Sequence, residues 1–122
     1  MPKRAVVLIV EDEPLVRLNA ADMVEDAGWE PLEAADAQDA VAILDAASVD
    51  VLFSDINMPG EMDGVQLASY VHQRWPQIHL VITSGKRYVD EIVLPDHATF
   101  LPKPYGIDDL VGVIGRKLNE RH

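Results

Sequence analysis

The sequence predicts an α/β domain in which a doubly wound, five-stranded parallel sheet is covered by helices on both faces. Three observations carry that expectation. Short apolar runs rich in valine and isoleucine recur along the 122 residues, as expected of strands buried on both faces. Segments with helical apolar spacing lie between them. The connections are short and free of low-complexity sequence, so βα units follow one another without a visible boundary. One domain over residues 1–122 is the expected organisation.

The elements follow in order. Ala5 to Val10 is the first strand. A helix opens at Glu13 and Pro14, proline being suited to a first-turn position. Val16, Ala20, Met23, Val24 and Ala27 form its inner stripe, and Gly28 stops it. Pro31 to Ala34 is a short second strand. Asp36 caps a second helix with Ala37, Ala40, Val41 and Leu44 inward. Val51 to Ser54 is the third strand and delivers Asp55 at its C-terminal end. Asp63 caps a helix that turns Leu67, Ala68 and Val71 inward and stops before Pro76. His79 to Ile82 is the fourth strand, ending at Thr83 and Ser84. Lys86 to Leu94 reads as a short, poorly periodic helix closed by Pro95. Ala98 to Leu101 is the fifth strand, and a last helix from Ile107 to Leu118 places Ile107, Leu110, Val111, Ile114 and Leu118 on one face.

Composition narrows the function classes. Ten basic against 21 acidic residues give a formal net charge of -11. That balance opposes direct nucleic-acid binding, which needs a basic face to release counterions, and disfavours an anionic membrane surface. The chain has no cysteine, which excludes disulfides and thiolate metal sites. No leader sequence and no membrane-spanning run is evident, so a cytoplasmic location is expected. The four histidines lack metal-ligand spacing. Trp29 and Trp75 fall near helix ends, where packing is the expected role.

Open parallel sheets bind ligands outside the C-terminal ends of their strands. Those ends carry Glu11, Asp12 and Glu13 after the first strand, Asp55 after the third, Thr83 and Ser84 after the fourth, and Lys103-Pro104 after the fifth. Taken singly, each suits a blander role: Asp55 a turn cap, the acidic triplet a favourable first helical turn, Lys103 a solvated side chain. Together they bring carboxylates, a hydroxyl and an ammonium to one edge. Carboxylates crowded there repel, and a hard divalent cation relieves the repulsion. Oxygen ligands without His or Cys suit Mg²⁺ better than zinc. An aspartate beside Mg²⁺ can attack phosphorus to form an acyl phosphate. Its equatorial oxygens would then be met by Mg²⁺, by the Lys103 ammonium and by the Thr83 hydroxyl.

These residues carry a resemblance. Val6-Val7-Leu8-Ile9-Val10 followed by Glu11-Asp12, then Asp55-Ile56-Asn57-Met58-Pro59-Gly60, Met62-Asp63-Gly64, Thr83-Ser84-Gly85 and Lys103-Pro104-Tyr105 resemble, in order, the motifs of the response-regulator receiver domain. The resemblance covers nearly the whole chain and implies a flavodoxin-like (βα)5 fold with strand order 2-1-3-4-5. It implies two-component or phosphorelay signalling by a switch rather than a turnover enzyme, with Mg²⁺-dependent phosphorylation by a histidine kinase or histidine phosphotransfer protein. Asp55 would be the phosphoryl acceptor. Asp12 would bind the metal directly, Glu11 would assist through a metal-bound water, and Asn57 would offer its backbone carbonyl. Lys103 would pair with the phosphoryl group, Thr83 would move in to contact it, and Phe100 would be the aromatic switch that follows Thr83. Pro104 would enter through a cis peptide bond.

The chain departs from the family pattern in a loop from Gly60 to Gly64 that is one residue longer than the commonest form, and in the short Lys86 to Pro95 region. With no effector domain expected after the last helix, the expected output is binding of a downstream protein or onward relay, by a monomer or a phosphorylation-linked dimer. Two other functions compete. A phosphatase of the haloacid dehalogenase type would use a similar Asp, Thr, Lys and Mg²⁺ set, but it expects a second aspartate where Asn57 stands. A degenerate receiver acting as a constitutive binding module would lack one of Asp12, Asp55, Thr83 or Lys103.

Overall fold

The computed structural model describes residues 4–58, 60–85 and 98–119. Within them the order is β1 (Val6–Val10), α1 (Pro14–Asp26), β2 (Glu30–Ala34), α2 (Ala37–Ala46), β3 (Val51–Asp55), α3 (Gly64–Arg74), β4 (His79–Ser84), β5 (Thr99–Pro102) and α4 (Ile107–Asn119). The five strands form one parallel sheet in the order β2-β1-β3-β4-β5. The expected topology is therefore the observed one. The helix expected over Lys86 to Leu94 lies outside the described residues.

Strand periodicity divides the core into two layers, because successive side chains point to opposite faces. Leu8, Val10, Leu52, Leu80 and Ile82 pack with α2 and α3 through Ala40, Leu44, Leu67, Ala68 and Val71. Their neighbours Val7, Ile9, Val51, Phe53, Val81 and Leu101 pack on the other face with Ala20, Ala21 and Val24 of α1 and Leu110, Val113 and Ile114 of α4. Local chemistry fixes where helices begin. The Asp36 side chain accepts from the Asp39 N–H, and Asp63 and Gln66 form a reciprocal capping box at the start of α3, satisfying N–H groups the helix leaves orphaned.

Two details correct the reading of the sequence. β5 runs one residue later than expected, through Pro102. The inner face of α4 is Leu110, Val113, Ile114 and Lys117, while Ile107 is 44% exposed. The apolar spacing alone points to Ile107 as the first core contact, but the buried face of α4 begins a turn later, at Leu110. Trp29 and Trp75 do pack against the two cores, and Trp75 also meets Tyr70 edge-on, with the Arg74 guanidinium 4.9 Å from the Trp75 ring.

Candidate phosphoryl-acceptor site

The same alternation of side chains assembles the site. Val7 and Ile9, Val51 and Phe53, Val81, and Leu101 all face α1 and α4. Two residues onward along each strand, that face receives Glu11, Asp55, Thr83 and Lys103. Asp55 and Thr83 are register partners across β3 and β4, and Val10 pairs with Ser54, so Glu11 follows beside Asp55. Four polar residues thus continue an otherwise apolar layer past the strand ends, where the sheet stops and water begins.

Three carboxylates converge there. Glu11, Asp12 and Asp55 each offer an oxygen within 4.8 Å of the others; Glu11 and Asp55 are buried and Asp12 is exposed. Lys103 Nζ donates to Glu11 Oε1 and to Asp55 Oδ2, both at 2.8 Å. The second oxygen of each carboxylate is also engaged: Asp55 Oδ1 accepts from the Asn57 N–H at 3.0 Å and Glu11 Oε2 from the Glu13 N–H at 3.2 Å. Burial pushes the Glu11 carboxyl above the ordinary glutamate range, with Lys103 opposing and the Asp55 charge reinforcing that rise. Burial alone would lower the Lys103 pKa, but its hydrogen bonds to Asp55 and Glu11 override that and hold the ammonium more strongly protonated than an ordinary lysine.

The surrounding loops hold these groups in place. The Ile56 N–H donates to Thr83 O and the Lys103 N–H to Ser84 O, while Asn57 Nδ2 donates to Ser84 Oγ at 3.1 Å. The Lys103-Pro104 peptide is cis. Tyr105 follows it and meets Phe53 edge-on, with ring centroids 5.5 Å apart. Thr83 Oγ1 is fully buried and, among the described residues, is a side-chain polar atom left without a hydrogen-bond partner. Phe100 is half-buried against the α2–α3 core.

Every sequence-predicted polar site residue lies at this edge, and Phe100 lies one pleat below it on the opposite face. The sequence reading passed over two residues. Arg17 reaches back from α1 to the Glu11 carbonyl at 2.8 Å; the signal was a lone cation one turn into a helix that opens on three acids. Gly64 belongs to the Met62-Asp63-Gly64 motif, but nothing in the sequence pattern shows why a glycine stands there. A Cβ built on it would stand 2.0 Å from the Asp55 carbonyl oxygen.

Comparison with known proteins agrees with this geometry. A family model for the response regulator receiver domain matches residues 7–115. The transcriptional regulatory protein PdtaR of Mycobacterium tuberculosis is 33% identical over 117 residues, covering 93% of this chain and 56% of PdtaR, so the chain spans about half the length of that relative. The receiver domain of the hybrid histidine kinase CckA superposes with a TM-score of 0.81 at 34% identity, over 94% of this chain and all of that domain. The response regulator TrrA of Thermotoga maritima, solved with Mg²⁺ and BeF, shares the fold at a TM-score of 0.85 and 19% identity, over 93% of this chain and 98% of its own. With the sheet order, the clustered carboxylates and a family match over most of its length, the chain belongs to the response regulator receiver domains of two-component signalling.

Proposed function

We propose that the chain is a phosphorylation switch whose Asp55 accepts a phosphoryl group from a phosphohistidine donor in the presence of Mg²⁺. One observation carries the proposal: three carboxylates and one ammonium share a single strand-end cluster. Their formal charges sum to two net negatives, which one divalent cation cancels and a monovalent one does not. The all-oxygen donor set suits Mg²⁺, and the buried Thr83 hydroxyl stands ready for an anionic oxygen. Asp12 and Asp55 would hold the cation directly, with Glu11 assisting and the Asn57 carbonyl completing the protein ligands. Mg²⁺ in that place supplies charge neutralisation at the phosphoryl oxygens.

The chemistry then follows from this chain's own groups. An Asp55 carboxylate oxygen attacks phosphorus as the P–N bond to the donor imidazole breaks and its electron pair returns to the ring. The product is an acyl phosphate. Lys103 Nζ, which bridges Glu11 and Asp55 beforehand, pairs with one phosphoryl oxygen. Thr83 Oγ1 donates to another, and Phe100 is the aromatic switch whose rotamer follows Thr83. The altered surface changes binding to a downstream protein, and the population of the two states follows the phosphate.

The donor is a histidine kinase or a histidine phosphotransfer protein. Leu15 and Leu18 of α1, 81% and 51% exposed, border a cleft of about 830 Å³ with Gly85, Lys103, Pro104 and Tyr105, beside the acceptor. That placement supports a helical donor approaching over α1. A phosphatase of the haloacid dehalogenase type needs a carboxylate acid-base group two residues after the nucleophile; Asn57 stands there, with its amide given to Ser84. A single domain over residues 1–122, a cytoplasmic location, no contact with nucleic acid or membrane, and a monomer or phosphorylation-linked dimer complete the reading. No helix among the described residues is long and apolar enough to cross a membrane.

The deciding experiment is intact mass after incubation with acetyl phosphate, with and without Mg²⁺, on wild type and Asp55→Asn. A single Mg²⁺-dependent phosphoryl adduct, lost in the variant, is expected. An adduct that persists in Asp55→Asn, or one indifferent to Mg²⁺, would overturn the assignment.

A further inference from the structure

We infer that Arg17 is a positioning residue that holds the Glu11–Asp12 turn in the geometry a divalent cation requires. The inference rests on the Mg²⁺ reading above and adds to it a residue that touches neither metal nor phosphate.

Glu11 is fastened on every side. Its N–H donates to Ala34 O of β2 at 3.1 Å. Its side-chain oxygens accept from Lys103 Nζ and from the Glu13 N–H. Its carbonyl accepts from Arg17 Nη1 at 2.8 Å. Asp12, the next residue, is exposed and has no side-chain hydrogen bond or ion pair among the described residues. Its direction is therefore set by the peptide that joins it to Glu11. The carbonyl of that peptide is the group that Arg17 Nη1 grips, so the grip on Glu11 O orients Asp12.

Arg17 can do this because it is itself anchored twice. Its own N–H closes the first turn of α1 on Glu13 O at 2.9 Å. Its Nε donates to Glu33 Oε1 of β2 at 3.3 Å, and its side chain is only 21% exposed. The planar guanidinium thus spans β2, α1 and the end of β1 in one rigid fork, which a lysine cannot reproduce. Groups that orient a metal ligand without touching the metal are typically worth about tenfold or more in affinity.

The sign of the effect separates positioning from simple charge. Arg17 is a cation beside an acidic cluster, so its Coulomb contribution opposes a second cation; removing it for that reason alone would tighten Mg²⁺ binding. Positioning predicts the reverse. The experiment is calorimetric titration of Mg²⁺ into the metal-free protein at fixed ionic strength, for wild type, Arg17→Met, Arg17→Lys and Glu33→Asp, with circular dichroism confirming the fold at the same temperature. Arg17→Met is expected to bind about tenfold more weakly, with Arg17→Lys between it and wild type. Glu33→Asp keeps every charge but withdraws the carboxylate by one methylene, and a smaller loss in the same direction is expected. Unchanged or tighter binding in Arg17→Met overturns the inference. If that variant is unfolded, unchanged binding in both Arg17→Lys and Glu33→Asp overturns it equally. A wild type that takes up no Mg²⁺ instead removes the metal reading on which the inference stands.

Discussion

Gly64 offers the sharpest test of how this fold positions Asp55. It is the first residue of α3, and its N–H donates to Ile56 O at 2.9 Å. A Cβ at this position would stand 2.0 Å from the Asp55 carbonyl oxygen and 2.7 Å from both the Asp55 carbonyl carbon and Ile56 Cα. All three are backbone atoms, so no side chain can swing away. To reach tolerable contact, α3 must retreat from β3 by about 1 Å, against the packing of Leu67, Ala68 and Val71. Overpacking of that kind costs about 1–3 kcal/mol, and the better helix propensity of alanine offsets under 1 kcal/mol of it. Gly64→Ala should therefore lose about 2 kcal/mol, moving the urea midpoint down by roughly 1 M. It should also slow phosphoryl acceptance, because the strained backbone is that of Asp55. Gly115→Ala is the matched control: it lies inside α4 and nothing stands within 4 Å of its built Cβ. That variant should gain about 0.5–1 kcal/mol. Equal midpoints for the two alanine variants would refute the steric account.

Three further outcomes follow from the same geometry. Lys103→Met leaves the buried carboxylates of Glu11 and Asp55 without their shared cation, so it should lose about 3 kcal/mol in EDTA. Mg²⁺ should shrink that deficit, and a loss indifferent to Mg²⁺ in thermal melts would contradict the charge count. Thr83→Val removes a buried hydroxyl that has no partner and should raise stability by about 1 kcal/mol, while weakening the phosphorylation-dependent switch; destabilisation in urea would show the hydroxyl to be satisfied. Stability should also fall at alkaline pH. Burial raises the Tyr105 phenol above its ordinary 10.0, and the Lys103 ammonium is held above its ordinary 10.5 by Asp55 and Glu11. For both groups the folded state keeps its proton longer than the unfolded one, so their contribution is whole below pH 10 and drains as pH climbs beyond it. Tyr105→Phe should flatten part of that decline in urea midpoints between pH 9 and 11, and an unchanged slope would remove Tyr105 from the account.

Much of the molecule was legible in the sequence because its signals are periodic. Val6 to Val10 and Val51 to Ser54 announce buried strands by composition. Their side-chain alternation then decides which residues past the strand end face the site. Asp36 and Asp63 mark helix starts by chemistry that acts within three residues. Illegibility begins where the deciding contact is distant in sequence. Arg17 meets Glu33, sixteen residues on, and Lys103 meets Glu11 ninety-two residues away. Only the strand order brings such pairs together. Gly64 illustrates a different limit, since a missing side chain carries no pattern, and its need is visible only when β3 and α3 are placed side by side. The face of α4 departs from expectation at Ile107 because spacing reports which residues share a stripe, whereas tertiary packing decides how far along the helix that stripe is covered.

The cluster makes sense as a site held away from its own stability optimum. A buried hydroxyl without a partner costs roughly 1–3 kcal/mol, and valine would fill the Thr83 position without it. Glu11 is buried against its own charge, as its raised pKa records. Lys103 holds both carboxylates, yet a single ammonium leaves two negative charges uncancelled among Glu11, Asp12 and Asp55. Each of these costs would be relieved by a ligand of complementary character: a divalent cation for the carboxylates, and an anionic oxygen for the hydroxyl and the ammonium. A fold selected for stability alone would have removed them one at a time, since no two share a side chain. Their persistence at one strand-end edge is what a binding event would relieve all at once. Under the phosphorylation proposed above, the free energy so released would be available to move Thr83 and the surface beyond it, which is the coupling a switch requires.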